Sequence, residues 1–327
     1  MPEVICLGEL LIDFCSSDAN ASLGDARTFI KSPGGAPANV AVAVRRLGRS
    51  AGFIGAVGDD SFGEFLVEVL ESEGVETSGL VRQPGMRTPL AFVAAKADGT
   101  CDFSFYHDAG LVGLTEENID EAYVAGASAL HFGSISRIDT AARAATDKAM
   151  RIAADAGLII SYDPNYRPRL WSDENEARRR IRQGFERATT TKISRDEWSF
   201  IFGTEDFLQG ARQLLDTGVQ LVVRSEGADG ASFATASAAG HVNAFSVDSV
   251  EFTGAGDAFD ASLLVDLLSF RADDISPDEL DESQLRWIIR RANAIGALTT
   301  TRAGAIPALP TRAEVNAFDG ANDEQQR

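Results

Sequence analysis

Short apolar runs alternate along this chain with longer segments whose apolar positions recur at helical spacing. Val4-Ile5-Cys6-Leu7 and Leu10 to Phe14 read as strands, followed by a polar loop and then Ser32-Pro33-Gly34-Gly35. Ala36 to Leu47 reads as a small-residue helix stopped at Gly48, Gly52 to Gly58 as a buried strand, and Phe62 to Ser72 as a helix stopped at Gly74. Thr88 to Ala97 and Cys101 to His107 are β runs joined by Asp98-Gly99, a strong hairpin signal.

The rhythm then changes. Ala129 to Phe132 predicts a strand, Asp139 to Ala156 a helix, Leu158 to Tyr162 a strand and Glu174 to Arg187 an Arg-rich helix. Leu221-Val222-Val223 follows a helix ending near Gly218, and Ala258 to Phe270 and Leu285 to Thr301 are further helices. Such alternation predicts an α/β fold, a mostly parallel central sheet covered by helices on both faces. The early hairpin then belongs to a small appended sheet, drawn from about residues 9–33 and 86–112. The rest forms one domain over 1–327, with a polar C-terminal tail at 311–327 that is expected to fray.

Composition narrows the options. With 49 Asp+Glu against 30 Lys+Arg the net charge is −19, which argues against nucleic acid or an anionic membrane as partner. Only Lys31, Lys96, Lys148 and Lys192 are lysines, a balance that suits a high-salt cytoplasm. Cys6, Cys15 and Cys101 make no disulfide framework, and His107, His131 and His241 form no zinc pattern. Glu3, Glu9 and Asp13 interrupt the first apolar run, so it does not read as a signal peptide, and a soluble cytoplasmic protein is expected. No Gly-rich dinucleotide fingerprint follows the first strand, which sets aside a dehydrogenase.

The chemistry concentrates at Thr253-Gly254-Ala255-Gly256-Asp257, where a Gly-rich turn runs into a helix. Unpaired amides at a helix start attract anions, and glycines let backbone approach a phosphate. An acid beside bound phosphate repels it, but it makes sense as the acceptor of a hydroxyl proton while the amides hold the transferring phosphoryl group. The alternative is a plain glycine turn capped by Asp257. Other polar residues fall at expected strand ends, where open α/β sheets bind ligands. They are Asp13, Gly34-Gly35 with Asn39, Asp163-Pro164-Asn165-Tyr166-Arg167, Glu197, and Gly227 with Gly230. Taken singly, each also reads as a turn, cap or surface ion pair.

Gly34-Gly35-Ala36-Pro37-Ala38-Asn39-Val40-Ala41 with Gly48 and Gly58, and then Thr253 to Asp257, resemble the paired signatures of the ribokinase-like (PfkB) carbohydrate kinases. The resemblance runs through nearly the whole chain and is nearest to fructokinases. It is carried also by Gly8 to Phe14, Phe53 to Asp60, His131 to Ser136, Asp163 to Arg167 and Gly296 to Thr301. It implies a ribokinase-like three-layer fold in which the small sheet is a lid, and an ATP-dependent kinase acting on a sugar, with fructose to fructose 6-phosphate as the leading reaction. Asp257 would be the base, and Gly254, Ala255 and Gly256 the anion hole. Asp13, Gly34, Gly35, Asn39 and Arg167 would bind sugar. Lys192, Ser225, Gly227, Gly230, Thr253 and Asn293 would line ATP, and Glu197 would hold Mg²⁺ through water. Partners would be the sugar and ATP, and the open lid edge is compatible with a homodimer.

The departures keep alternatives open. Glu251-Phe252-Thr253 replaces the family's Asp-Thr-Thr, which leaves a monovalent cation (K⁺) site undecided, and Asp260-Ala261-Ser262 replaces the frequent Val-Gly-Gly. The lid run Phe105 to Leu111 lacks the usual Arg, Pro and final Asp, with His107 standing in the Arg's place. A 2-keto-3-deoxygluconate kinase or another PfkB kinase remains an alternative, as does a sugar- or nucleotide-binding regulatory protein with impaired turnover.

Overall fold

The computed structural model describes residues 1–18, 21–95, 101–106 and 113–325. The lid positions His107 to Leu111, the Asp98-Gly99 turn and Lys96 lie outside them. In chain order the strands are β1 Val4–Leu7, β2 Leu11–Ser16, β3 Phe29–Gly34, β4 Ala51–Gly58, β5 Glu76–Gln83, β6 Leu90–Ala95 and β7 Cys101–Tyr106. They continue as β8 Ala129–Gly133, β9 Ile159–Asp163, β10 Thr190–Ser194, β11 Leu221–Ser225, β12 Ala231–Ala234 and β13 Ala239–Val242. The helices are α1 Ala36–Arg46, α2 Ser61–Ser72, α3 Glu121–Ala125, α4 Thr140–Asp155 and α5 Glu174–Gly184. After them come α6 Arg195–Phe202, α7 Phe207–Leu215, α8 Ala255–Arg271, α9 Glu282–Thr300 and α10 Arg312–Gln325.

The large sheet has nine strands in the order β13-β12-β11-β10-β9-β8-β1-β4-β5. From β5 to β11 every pairing is parallel, and β12 and β13 add antiparallel strands at one edge. Its central strands are continuous apolar runs because both faces are covered: all of β1, β4 and β8 is buried. One core packs α1, α2, α8 and α9 on one face. The other packs α3, α4, α5, α6 and α7 on the opposite face. From β1 the chain moves outward to β4 and β5, then returns to β8 on the other side of β1. That reversal opens a crevice beyond the carboxyl ends of β1 and β8, the place where such sheets bind ligands.

The small sheet has four strands in the order β3-β2-β6-β7. β2 pairs antiparallel with β3 and parallel with β6, and β6 pairs antiparallel with β7 in the expected hairpin register. Phe14 stacks on Phe92, and Phe29 and Tyr106 meet Phe92 edge-on, so an aromatic cluster packs on this small sheet.

Three local readings are corrected. The stretch read as polar loop before Ser32 contains β3, and β5 was not anticipated. The tail from 311 is not frayed at its start but forms α10. Val315 there is fully buried, and Glu314 accepts from the Thr311 amide at 2.7 Å and pairs with Arg302 at 2.5 Å.

Candidate active site

Asp257 sits in the first turn of α8, whose N-cap is Gly254 at φ 82°. That left-handed conformation is easy for glycine and strained for other residues, and it turns the chain into the helix, where the Ala255 amide makes a long bond to the Phe252 carbonyl at 3.3 Å. Asp257 is buried, and Asn39 of α1 donates from Nδ2 to its Oδ2 at 2.8 Å. Asn39 is itself buried, anchored through its amide to the Gly35 carbonyl at 2.9 Å, and its Oδ1 has no partner among the described residues. The two sequence signatures, 218 residues apart, thus meet in one hydrogen bond.

Around this pair the charges crowd. Glu9 follows β1, is buried, and accepts the Ala36 amide at 3.0 Å on Oε1, while Oε2 has no partner among the described residues. Asp13 lies on β2 against Gly34, where an added Cβ would stand 2.0 Å from its Oδ2. The missing side chain at Gly34 is what admits the carboxylate. Arg167 follows β9 across Asn165, whose φ of 44° marks a strained turn. Its guanidinium is half-buried and acts electrostatically on Glu9, Asp13, Asp257 and Glu197.

Burial lifts the Asp257 carboxyl above the ordinary aspartate range; the Asn39 bond and Lys192 pull it back, Asp163 pushes it up, and Arg167 lowers it. Burial pushes Glu9 up to about 7, with the Asp257 charge adding to the rise against Arg167. Burial likewise pushes Asp13 up to about 7, with Arg167 opposing and Glu251 and Asp257 reinforcing.

On the other side of the anion turn lies a cavity of about 430 Å³ lined by Ser225, Gly227, Gly230, Asn293, Ala255 and Gly256, with Phe245, Phe252 and Phe259 on its apolar walls. Asn293 donates to the carbonyls of Val242 and Asn243 at 3.0 and 3.2 Å, fixing the loop that closes the cavity. Ala255 and Gly256 line this cavity, and Asp257 is the next residue in the chain, so the turn stands between the cavity and the cluster around Asp257 and Asn39.

The structure therefore brings Asp257, Asn39, Asp13, Gly34, Gly35 and Arg167 together, and separately gathers Ser225, Gly227, Gly230 and Asn293. Two expected nucleotide residues stand elsewhere. Thr253 is exposed and does not line the cavity. Lys192 is buried beneath the turn, paired with Asp163 at 2.6 Å and Asp260 at 3.1 Å, because two carboxylates compensate its charge there. Glu197 is also buried. It closes a capping box with the Ser194 amide at 3.2 Å, and its Oε1 accepts the Tyr166 amide. Asp163 was noted only as part of the strand-end run and given no role of its own, and Glu9 and Asp260 were given no site role; their sequence signal is an acid at the end of an apolar strand or inside an apolar helix, which reads equally as a turn or a solvated face.

Among the described residues no cluster of three or more His, Cys, Asp or Glu side chains is arranged to hold a metal. No helix is long and apolar enough to cross a membrane among them.

Comparison with known proteins returns one answer. Residues 1–312 match the pfkB family carbohydrate kinase pattern. The chain is 42% identical over 315 residues to fructokinase-1 of Zea mays, covering 95% of this chain and 96% of that protein. It superposes with a TM-score of 0.89 on a fructokinase with bound ATP from Xylella fastidiosa, at 34% identity, covering 99% of this chain and 100% of that one. A double-mutant fructokinase from Vibrio cholerae O395, solved with fructose, ADP and potassium ion bound, gives 0.83 at 31% identity over 97% of this chain and 98% of that one.

Proposed function

The chain belongs to the pfkB family of carbohydrate kinases, and from that premise we propose that it transfers the γ-phosphoryl group of ATP to fructose, yielding fructose 6-phosphate and ADP. The observation that carries the assignment of roles is Asp257 at the start of α8. It borders the amides of an anion turn on one side and is bonded to Asn39 at 2.8 Å on the other. In the proposed step the sugar O–H bond breaks and its proton passes to the Asp257 carboxylate. The same oxygen forms the new O–P bond as the bond from γ-phosphorus to the ADP oxygen breaks. The charge on the transferring group is met by the amides of the Gly254–Gly256 turn and by Arg167. Asp13 and Asn39 orient the sugar hydroxyls. A loose transition state releases the hydroxyl proton late, so positioning contributes more than base strength.

Mg²⁺ would supply charge neutralisation across the ATP phosphates. Glu197 fits it only as an outer contact through water, because both its oxygens already accept backbone amides. A monovalent cation fits the junction where the amides of Val250 and Glu251 reach the Thr300 carbonyl and Gly304 donates to Glu251 Oε2 at 2.8 Å. Oxygen donors gather at that point, and a carboxylate and carbonyls suit a hard cation.

ADP release measured across fructose, glucose, ribose and 2-keto-3-deoxygluconate tests the assignment. Saturable release with fructose at the highest kcat/KM is expected. Release with 2-keto-3-deoxygluconate alone would reassign the substrate, and no release with any sugar would favour a binding protein without turnover. Repeating the fructose assay with K⁺ replaced by choline tests the cation. Exposed Ile30 and Tyr106 on the open strands β3 and β7 fit a second copy pairing edge to edge, which light scattering would detect as a dimer.

A further inference from the structure

Lys192 extends from β10 under the Gly254–Gly256 turn, not into the nucleotide cavity. An ammonium has three donors. Those of Lys192 face Asp163 Oδ2 at 2.6 Å, Asp260 Oδ2 at 3.1 Å and the Gly256 carbonyl at 3.4 Å. Its side chain is 5% exposed, and a Cβ added to Gly256 would come within 3.0 Å of Nζ. The charge is thus packed directly beneath the anion turn with no donor to spare for a phosphate.

Asp260 lies three residues beyond Asp257 on α8, so the two share a helix face. It is almost wholly buried, with Cys6 of β1 beneath it, and apart from its ion pair neither oxygen accepts a hydrogen bond among the described residues. Two buried carboxylates on one ammonium leave an excess negative charge, which a proton on Asp260 removes. Burial and the neighbouring Asp163 push Asp260 well above the ordinary range against the pull of Lys192. Asp163, whose burial would raise it, is held low by Lys192 and by a hydrogen bond from Asp260.

We propose that Lys192 is a positioning residue for phosphoryl transfer, clamped under the Gly254–Asp257 turn by Asp163 and Asp260, and that it acts on Asp257 and the anion turn without touching ATP. The proposal rests on Asp257 being the base. The clamp does two things. It ties β9 and β10 to the helix that carries the base, bracing the Gly256 carbonyl inside the turn. It also sets a fixed positive charge near Asp257, which otherwise faces Glu9 after β1, Asp13 on β2 and Asp163 on β9, with Asn39 on α1 and Arg167 after β9 as its other stabilising partners. Asp260 matters because it is the side-chain acceptor on α8: without it the ammonium would keep Asp163 and only the long contact to the Gly256 carbonyl, and the helix would be tied to the sheet more weakly.

The test measures kcat, the KM for ATP and the kcat–pH profile for Asp260→Ala, Asp260→Asn, Lys192→Met and Asp257→Asn, each checked for folding by thermal melting. Asp260→Ala is expected to lower kcat about tenfold with the KM for ATP within about twofold, and Asp260→Asn, which keeps the acceptor for Lys192, to recover most of the loss. Lys192→Met is expected to move the acid limb of the profile to higher pH, about one unit, because Asp257 loses a positive neighbour. A Lys192→Met enzyme with a KM for ATP raised tenfold or so and an unmoved acid limb would make Lys192 a phosphate contact and overturn the proposal. So would an Asp260→Ala enzyme equal to the parent; should Lys192→Met fail to fold, the two Asp260 variants alone decide. Full turnover by Asp257→Asn would instead sink the base assignment, while an inactive Asp257→Asn beside a silent Asp260→Ala would sink the clamp alone.

Discussion

The two chambers on either side of the Gly254–Gly256 turn are built from opposite materials. The acceptor side holds Glu9, Asp13, Asp163, Asp257 and Asp260 with Arg167 and Lys192, mostly buried, in a network where each charge sets its neighbour's protonation. The nucleotide side is lined, among the described residues, by Gly, Ala, Ser, Thr, Val, Phe and Asn, without one charged side chain. The chain carries a net charge of −19, yet this neutral cavity is the one assigned to a polyanion. The difference shows where specificity and energy reside. The nucleotide would be held by shape, apolar area and backbone amides, contributions that are individually modest and add roughly independently. The acceptor side would work by preorganised charge in a desolvated space, where one altered group is felt by all the others.

The comparison predicts unequal responses to substitution. The largest is Asp257→Asn, which keeps the size of the side chain and removes the acid. Turnover should fall by about 10²–10⁴, the usual contribution of a positioned general base. ATP affinity measured by calorimetry should stay within a few-fold, because the nucleotide cavity does not contain Asp257. Loss of ATP binding in step with turnover would merge the two chambers into one electrostatic unit and break the comparison.

On the nucleotide side the effect should be smaller and confined to binding. Asn293→Ala removes the donors to Val242 and Asn243. Two neutral hydrogen bonds are worth about 1 kcal/mol each, so the KM for ATP should rise about five- to thirtyfold while kcat at saturating ATP changes little. Steady-state titration of ATP at fixed sugar separates these outcomes. A tenfold fall in kcat with unchanged KM would mean that the cavity wall also positions the phosphoryl group.

The same division governs what could be read from the sequence. The parallel sheet, the antiparallel pairing of β6 with β7 and the start of α8 were legible because each leaves a local trace: buried strands as apolar runs, two adjacent β runs as a hairpin, Gly254 to Gly256 as a helix start. Strand β5, Glu76–Gln83, was not, because its residues are only partly covered and carry no clear alternation. Strand β3 was hidden by Lys31, Ser32 and Pro33, residues that suit an open edge and read as loop. α10 was hidden because the apolar side chains that anchor it, buried Val315 and Phe318 against Phe245, stand among polar and small residues. The resemblance assigned Lys192 to the ATP phosphates, and nothing near it in sequence signals otherwise. Its partners Asp163 and Asp260 come from other elements, and only tertiary packing commits all of its donors. A buried charge has no sequence signature until its counter-charge is placed.

The smallest expected effect sharpens the comparison through stability. Glu9 is held up to about 7 from an ordinary value of 4.5, chiefly by burial. A carboxyl whose folded value exceeds its unfolded one binds its proton more tightly when folded. Its favourable contribution is therefore complete below the unfolded value and is lost as pH rises through about 7. Above that point the parent carries an ionised, buried Glu9 close to Asp257. Glu9→Gln keeps an acceptor for the Ala36 amide, which Glu9 Oε1 receives at 3.0 Å, and removes the charge. Melting temperatures of parent and variant should nearly coincide at about pH 5, with the variant higher by roughly 2 °C at about pH 8. The uncharged nucleotide chamber offers no such lever, so Asn293→Ala should shift the melting temperature equally at both pH values. An equal shift for Glu9→Gln at both would mean that Glu9 stays ionised throughout, stabilised by Arg167, and that the acceptor chamber is better solvated than its burial indicates.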